Sequence, residues 1–268
     1  MDVLLKSDQT ASGQVLGKLP LITAGYWVIK ICATTLGETG ADHLSMTLNL
    51  GYAASSLIFI AVFVLTLGFQ LSSRKFNPLI YWVVFTSTSV AGTTMSDFMD
   101  RTMGLGYAAG SAILVALLAA TLAAWYFSEK SLSVTNIRTL RGEIFYWVAF
   151  LFANTLGTAV GDFLADSSGL GFAGGAVLIS SLLALTLAGH SFTRISSIAL
   201  FWVAFVLTRP FGATFGDLLT KSHAQGGLGL GTQGTSLVLI ALLVLFVAGS
   251  WIRLANSAAK RSQPDPES

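Results

Sequence analysis

The chain is poor in charged residues. Asp, Glu, Lys and Arg make up 10% of its 268 residues, against roughly 25% in an average soluble domain. Hydrophobic residues make up 53%, and the mean hydropathy is +0.72. This composition excludes an ordinary soluble protein and predicts a polytopic membrane protein whose main surroundings are the lipid bilayer. The net charge of +2 gives no indication of a nucleic-acid partner.

Several catalytic and metal-binding signatures are also missing. Cys32 is the single cysteine, so no internal disulfide can form, and none of the three histidines pairs at a metal-ligand spacing. There is no glycine-lysine loop of the ATP-binding type and no set of residues resembling a nucleophile with its base. We therefore expect neither an enzyme nor a bound cofactor.

The chain contains one sequence pattern four times. An aromatic-Trp pair is followed by Gly ten residues after the Trp and by Asp fifteen residues after it. The copies are Tyr26-Trp27…Gly37…Asp42, Tyr81-Trp82…Gly92…Asp97, Tyr146-Trp147…Gly157…Asp162 and Phe201-Trp202…Gly212…Asp217. Matched spacings of this kind indicate internal repeats.

Each repeat has the length of two membrane-spanning helices. The first halves cover residues 21–43, 79–99, 144–165 and 199–219, and the second halves cover 51–70, 106–127, 171–190 and 231–252. The sequence thus predicts an all-α protein of eight transmembrane helices. Two helices per repeat return the chain to its starting side, so the four repeats are parallel, with pseudo-symmetry about an axis along the membrane normal.

The repeats fall into two halves because the Trp-to-Trp spacing is 55, then 65, then 55 residues. We expect an N-terminal segment at 1–19, a first half at 20–127, a linker at 128–143, a second half at 144–253 and a disordered tail at 254–268. Most Lys and Arg residues lie at the termini or between repeats, which predicts that both termini are cytoplasmic. The Trp residues would then anchor the cytoplasmic interface, and Lys30 would extend its ammonium group toward it.

The repeated aspartates are the leading candidates for function. Fifteen residues rise roughly 22 Å along a helix, so all four Asp would lie at one depth, beyond the midplane. Carboxylates repeated inside a membrane indicate a cation site. The predicted ligands are Asp42, Asp97, Asp162, Asp217 and Glu38. Further oxygen atoms suited to a hard cation come from Thr93, Asn154 and Thr158.

One basic residue interrupts this polar region. Arg209 precedes Pro210 in the middle of a predicted span, where an unpaired charge costs several kcal/mol. We expect Arg209 to meet a carboxylate, either Glu38 or one of the repeated Asp. Pro210 should kink or break the helix. Arg101 and Lys221 each follow a repeated Asp by four residues, a spacing that allows ion pairs along one helix.

The four Trp…Gly…Asp copies, together with Gly-Leu-Gly at 104–106 and 169–171, resemble the bacterial "repeat of unknown function" family of membrane-anchored proteins. The resemblance covers residues 20 to 252. It implies a multi-pass protein of the bacterial inner membrane, and it supplies neither a substrate nor catalytic residues.

Three functions remain open on this sequence. The first is a secondary transporter or exchanger of a hard inorganic cation, such as Mn²⁺ or Na⁺ with H⁺, at the carboxylates. The second is a proton-coupled transporter of a small organic solute, with Arg209 gripping an anionic group. The third is a sensor or assembly protein that does not transport. Each is compatible with a homo-oligomer.

Overall fold

A computed structural model describes residues 19–261 apart from 74, 135, 136 and 138. These residues form eight long helices and no strand, which confirms the all-helical class. The helices are α1 (Ala24–Asp42), α2 (Tyr52–Ser72), α3 (Pro78–Asp97), α4 (Tyr107–Glu129), α5 (Leu140–Asp162), α6 (Gly171–Phe192), α7 (Ser197–Thr220) and α8 (Thr232–Arg261).

The ends of the chain are covered only in part. Residues 1–18 and 262–268, which belong to the predicted N-terminal segment and tail, lie outside the described residues. Helix α8 continues to Arg261, into the segment assigned to the tail. The predicted linker begins at the last turn of α4 and reaches into α5.

Six helices, α2 and α4 to α8, are long and apolar enough to cross a membrane by length and composition. The chain is therefore a multi-pass membrane protein. Helices α1 and α3 have similar lengths, 19 and 20 residues, but are more polar. The hydroxyl and charged side chains of α1 and α3 lower the mean hydropathy of these helices. Most of these side chains are buried among the other helices.

Local signals set the helix boundaries. Side chains of Thr23, Asn77 and Thr139 cap the starts of α1, α3 and α5 by accepting bonds from backbone N–H groups. The same three helices end in π-helical turns at His43–Thr47, Phe98–Thr102 and Phe163–Ser167. A glycine with positive φ then stands beside the start of the next helix, as at Gly51 and Gly106, a conformation that other residues rarely adopt. Helix α7 runs unbroken through Pro210.

The first helices of the repeats form a closed ring. Helix α1 packs against α3, α3 against α5, α5 against α7, and α7 back against α1. The second helices lie outside this ring, and each packs chiefly against the first helix of the following repeat. Thus α2 covers α3, α4 covers α5, α6 covers α7, and α8 covers α1. Hydrogen bonds such as Ser236 Oγ to Thr39 Oγ1 at 2.8 Å join α8 to α1.

Four glycines hold the ring together at one level. A Cβ added to Gly37, Gly92, Gly157 or Gly212 would lie within 3 Å of the next inner helix. Its nearest contacts there would be with Ser89, Asn154, Arg209 and Thr34 respectively. These four contacted residues also share one position in the repeat, eight residues after the first aromatic. The repeated glycine is therefore where each inner helix approaches its neighbour most closely.

Polarity is layered from the inside outward. The inner helices turn their hydroxyl and charged side chains toward one another, whereas α2, α4, α6 and α8 leave most of their apolar side chains exposed. The predicted interfacial role of the Trp residues is wrong for three copies. Trp82, Trp147 and Trp202 are 3%, 0% and 7% exposed and belong to an aromatic cluster within the ring.

We predict that Gly92→Ala destabilises the protein, because the added Cβ would lie 2.9 Å from the backbone nitrogen of Thr155. Overpacking of this kind costs about 1–3 kcal/mol. The measurement is thermal unfolding of the purified protein in detergent. Gly68→Ala is the matched control, because Gly68 lies inside α2 with nothing within 4 Å of the added Cβ. Equal melting temperatures for the two variants would contradict close packing at Gly92.

Candidate cation site

The four repeated Asp residues lie at or near the C-terminal ends of the inner helices. Their exposures are between 2% and 4%, so none extends into bulk solvent. These Asp residues are buried because small residues on the facing sides of the inner helices allow the four helix ends to pack closely together. We refer to this level as the Asp end of the ring and to the level of the repeated Trp residues as the Trp end.

Two basic side chains each join Asp residues of neighbouring repeats. The guanidinium of Arg101 lies 3.0 Å from Asp97 on its own repeat and 3.0 Å from Asp162 on the next. The pairs at four-residue spacing within one repeat were predicted from the sequence, and both are present. The bridges between repeats were not predicted from the sequence, although Arg101 and Lys221 occupy the same position in repeats two and four.

Lys221 makes the corresponding bridge in the other half. Its Nζ lies 2.5 Å from Asp42 and 3.2 Å from Asp217. Burial alone would lower the pKa of Lys221, but the carboxylates of Asp217 and Asp42 together raise it above its ordinary value. Lys221 is therefore a persistent positive charge at the Asp end.

Arg209 is the polar centre of the ring and is completely buried. It forms an ion pair with Glu38 at 3.3 Å, so the expected carboxylate partner is Glu38. The same guanidinium group donates hydrogen bonds to Thr93 Oγ1 and, at 2.7 Å, to Thr158 Oγ1. One side chain from α7 thus contacts the three other inner helices.

Three carboxylates converge beside this centre. Glu38, Asp162 and Asp217 are buried, and one oxygen of each lies within 4.8 Å of the others. A Ca²⁺-sized ion binds oxygens at about 2.3–2.6 Å, so oxygens on its opposite sides are separated by about 4.6–5.2 Å. The three oxygens are therefore close enough to enter one coordination shell.

The charges around this cluster do not balance. Its connected ion pairs contain five buried carboxylates, those of Glu38 and the four repeated Asp, and three basic groups, those of Arg101, Arg209 and Lys221. Arg101 also lies 3.8 Å from Asp166, which is exposed. Full ionisation would leave a formal charge of −2 in a buried site. Excess buried charge is expensive in a membrane, so the cluster favours added protons or a cation.

The other predicted site residues lie close by with different partners. Thr93 and Thr158 both bind Arg209, and Thr93 also donates to Glu38 at 3.3 Å. Asn154 donates its amide to Thr88 Oγ1 at 2.9 Å. Within the described residues its carbonyl oxygen accepts no hydrogen bond. Thr93 and Thr158 therefore support the arginine, and Asn154 joins α5 to α3.

Toward the Trp end, an aromatic layer closes the ring. It consists of Phe85, Phe150 and Phe205, whose rings pack edge-on or tilted against one another. Lys30 occupies the fourth place in this layer and is 0% exposed. The expectation that Lys30 reaches the interface is wrong, because its ammonium group lies over the Phe205 ring at 4.0 Å. Beyond this layer, at the Trp end, the hydroxyl oxygens of Tyr81 and Tyr146 lie 2.6 Å apart.

We predict that Glu38→Gln and Arg209→Met each destabilise the protein by about 3–5 kcal/mol, because each leaves one buried charge without its partner. The double variant should be less destabilised than the sum of the two, with a coupling of about 1–3 kcal/mol. A double-mutant cycle of thermal unfolding in detergent measures this coupling. Strictly additive effects would contradict a direct interaction.

Comparison with known proteins gives one match. The family model described as Repeat of Unknown Function (DUF347) matches four consecutive stretches, at residues 25–76, 80–131, 145–196 and 200–254. Each stretch contains one Trp…Gly…Asp copy with its two helices. No curated protein and no solved structure matches the chain.

Proposed function

Since the chain belongs to the Repeat of Unknown Function family, whose description names no activity, we propose from the site alone that it is a secondary transporter or exchanger of a hard inorganic cation. The substrate would be a divalent metal such as Mn²⁺, or Na⁺ in exchange for H⁺. The observation that carries this proposal is the buried cluster of Glu38, Asp162 and Asp217, with oxygens within 4.8 Å of one another.

The chemistry of the cluster favours a hard ion. Carboxylate oxygens are the preferred ligands of Mg²⁺, Ca²⁺ and Mn²⁺, whereas soft metals prefer thiolates. The formal charge of −2 matches one divalent cation or two monovalent ones. Asp42 and Asp97 would complete the acidic set, held by Lys221 and Arg101 until a cation competes for their carboxylates.

The proposed transport path runs along the ring axis. In this arrangement all eight helices cross the membrane, as four parallel repeats related by pseudo-symmetry about the membrane normal. The matched glycine contacts and the repeated bridges by Arg101 and Lys221 support this arrangement. Helices α1 and α3 would cross despite their polarity, because the ring shields their polar faces from lipid.

The proposed orientation places both termini in the cytoplasm of a bacterium, with the protein in its inner membrane. Lys75, Lys130, Arg141 and Arg194 lie in or near the connections between repeats, at the Trp end. The two basic residues at the Asp end are engaged by carboxylates. The positive-inside rule then favours a cytoplasmic Trp end.

The surroundings of Arg209 weigh against its use for an organic anion. Its guanidinium already binds Glu38, Thr93 and Thr158. An anionic solute would have to displace those partners, and Arg209→Lys would then change solute selectivity. The sensor or assembly function would use the same cluster to hold helices together, without flux.

We predict that Asp162→Asn lowers cation flux at least about tenfold, because it removes one charged ligand from the cluster. Purified protein in proteoliposomes is tested against Mn²⁺, Mg²⁺, Ca²⁺ and Na⁺ separately. Asp166→Asn is the control at the exposed rim, where Asp166 accepts a hydrogen bond from Tyr107 at 3.0 Å and lies 3.8 Å from Arg101 without entering the buried cluster. It should leave flux within about twofold.

Two results would refute the cation proposal. One is wild-type protein that moves none of the four ions above the rate of empty vesicles. The other is Asp162→Asn that alters abundance or partner binding while flux stays at the wild-type level. The second result would instead support an assembly role.

A further inference from the structure

Lys30 is a buried basic residue that the carboxylate cluster does not use. It is 0% exposed, and among the described residues no carboxylate forms an ion pair with it. The other three repeats place Phe at the same position, four residues after the first aromatic, at Phe85, Phe150 and Phe205. A lysine in this layer replaces an aromatic ring that the repeat otherwise supplies, so packing alone does not account for it.

The hydrogen bonds around Lys30 suit both of its protonation states. Its Nζ donates to Phe205 O at 3.0 Å and to Thr208 Oγ1. Thr208 donates its own proton to Phe205 O at 2.8 Å, so its oxygen remains an acceptor toward Lys30. Two acceptors satisfy the two N–H groups of a neutral amine. The third N–H of an ammonium would face aromatic rings, with the Phe205 centroid at 4.0 Å and the Phe85 centroid at 5.6 Å.

The neighbouring helices give Lys30 no fixed negative charge. Helix α7 presents Arg209, next to Thr208 in sequence, and α3 presents the phenol of Tyr81. The part of α8 at residues 232–252 contains no Asp, Glu, Lys or Arg. On α1 itself the nearest acid is Glu38, eight residues away, or about 12 Å along the helix. Nothing described therefore holds Lys30 permanently protonated.

We propose that Lys30 is the proton-binding site of this protein and that the coupling ion is a proton moving opposite to the metal or alkali cation. The inference rests on the proposed function and extends it. A hydronium ion on one side breaks one O–H bond and transfers H⁺ to the lone pair of Nζ, which forms one N–H bond and leaves water. The same bond breaks to release H⁺ to the other side, so no further reactant is needed.

Electrostatics supplies the coupling. Two unit charges about 12 Å apart, at an effective dielectric constant of about 20, alter each other's binding about tenfold, and a divalent ion is affected about a hundredfold. A protonated Lys30 therefore disfavours a cation at Glu38, and a bound cation favours the neutral amine. A proton at Lys30 and a cation at Glu38 are therefore bound alternately, as exchange requires.

The test uses the full chain in proteoliposomes and two readings of the cation that the wild type transports. The first is exchange of labelled for unlabelled cation without a gradient, and the second is uptake driven by an imposed pH gradient. Lys30→Met should keep exchange within about twofold of wild type and lose stimulation by the gradient at least about tenfold. Lys30→Arg should also lose stimulation, because arginine stays protonated.

Each outcome bears on one proposal or the other. Lys30→Met that still responds to the pH gradient like wild type overturns the role of Lys30 and leaves cation transport standing. Wild-type protein without exchange and without cation binding overturns the transport proposal, and the proton site with it. If Lys30→Met does not fold, Lys30→Phe restores the residue found in the other three repeats and is held to the same two readings.

Discussion

The close approach of the inner helices is the contact on which the rest of the structure depends. At Gly37, Gly92, Gly157 and Gly212 there is no room for a Cβ, and each glycine meets the same position of the next repeat. This contact closes the ring and brings the following turns of all four helices together. The repeated Asp lies five residues beyond each glycine, so its burial follows from the same geometry. The packing of small residues brings these carboxylates together, and ion pairs of Arg101 and Lys221 then join neighbouring repeats.

Once the ring is closed, its interior must neutralise the charges that it contains. Arg209 is the clearest example, because one guanidinium group reaches Glu38, Thr93 and Thr158 on three different helices. Lys221 and Arg101 perform a similar task between repeats at the Asp end. The Trp end is closed differently, by aromatic rings and by Lys30. The two ends of the ring axis are thus sealed by different chemistry, by ion pairs on one side and by aromatic packing on the other.

Much of this could be predicted from the sequence because it follows from repetition. Equal spacings give helix number, the Asp positions and the pairs four residues apart. The partner of Arg209 could be narrowed to carboxylates because an unpaired buried charge is costly. The order of the helices in the ring, and therefore the ion pairs to the next repeat, depends on which helices contact each other. The residue spacing within one repeat does not determine these contacts. Lys30 and the Trp residues were placed at an interface because flanking aromatics usually lie there. Their burial depends on how closely the four helices pack.

The outer helices have a consequence for biogenesis. Each covers the following repeat, so the outer face of α1 is covered only when α8 arrives, and Lys30 and Glu38 meet Thr208 and Arg209 only when α7 arrives. During synthesis α1 is therefore enclosed only after both of these helices have been made. Until then its charges must be shielded by the translocon, by water or by a chaperone. A chain that ends before α8 would leave the outer face of α1 exposed to lipid and would become a target for membrane quality control.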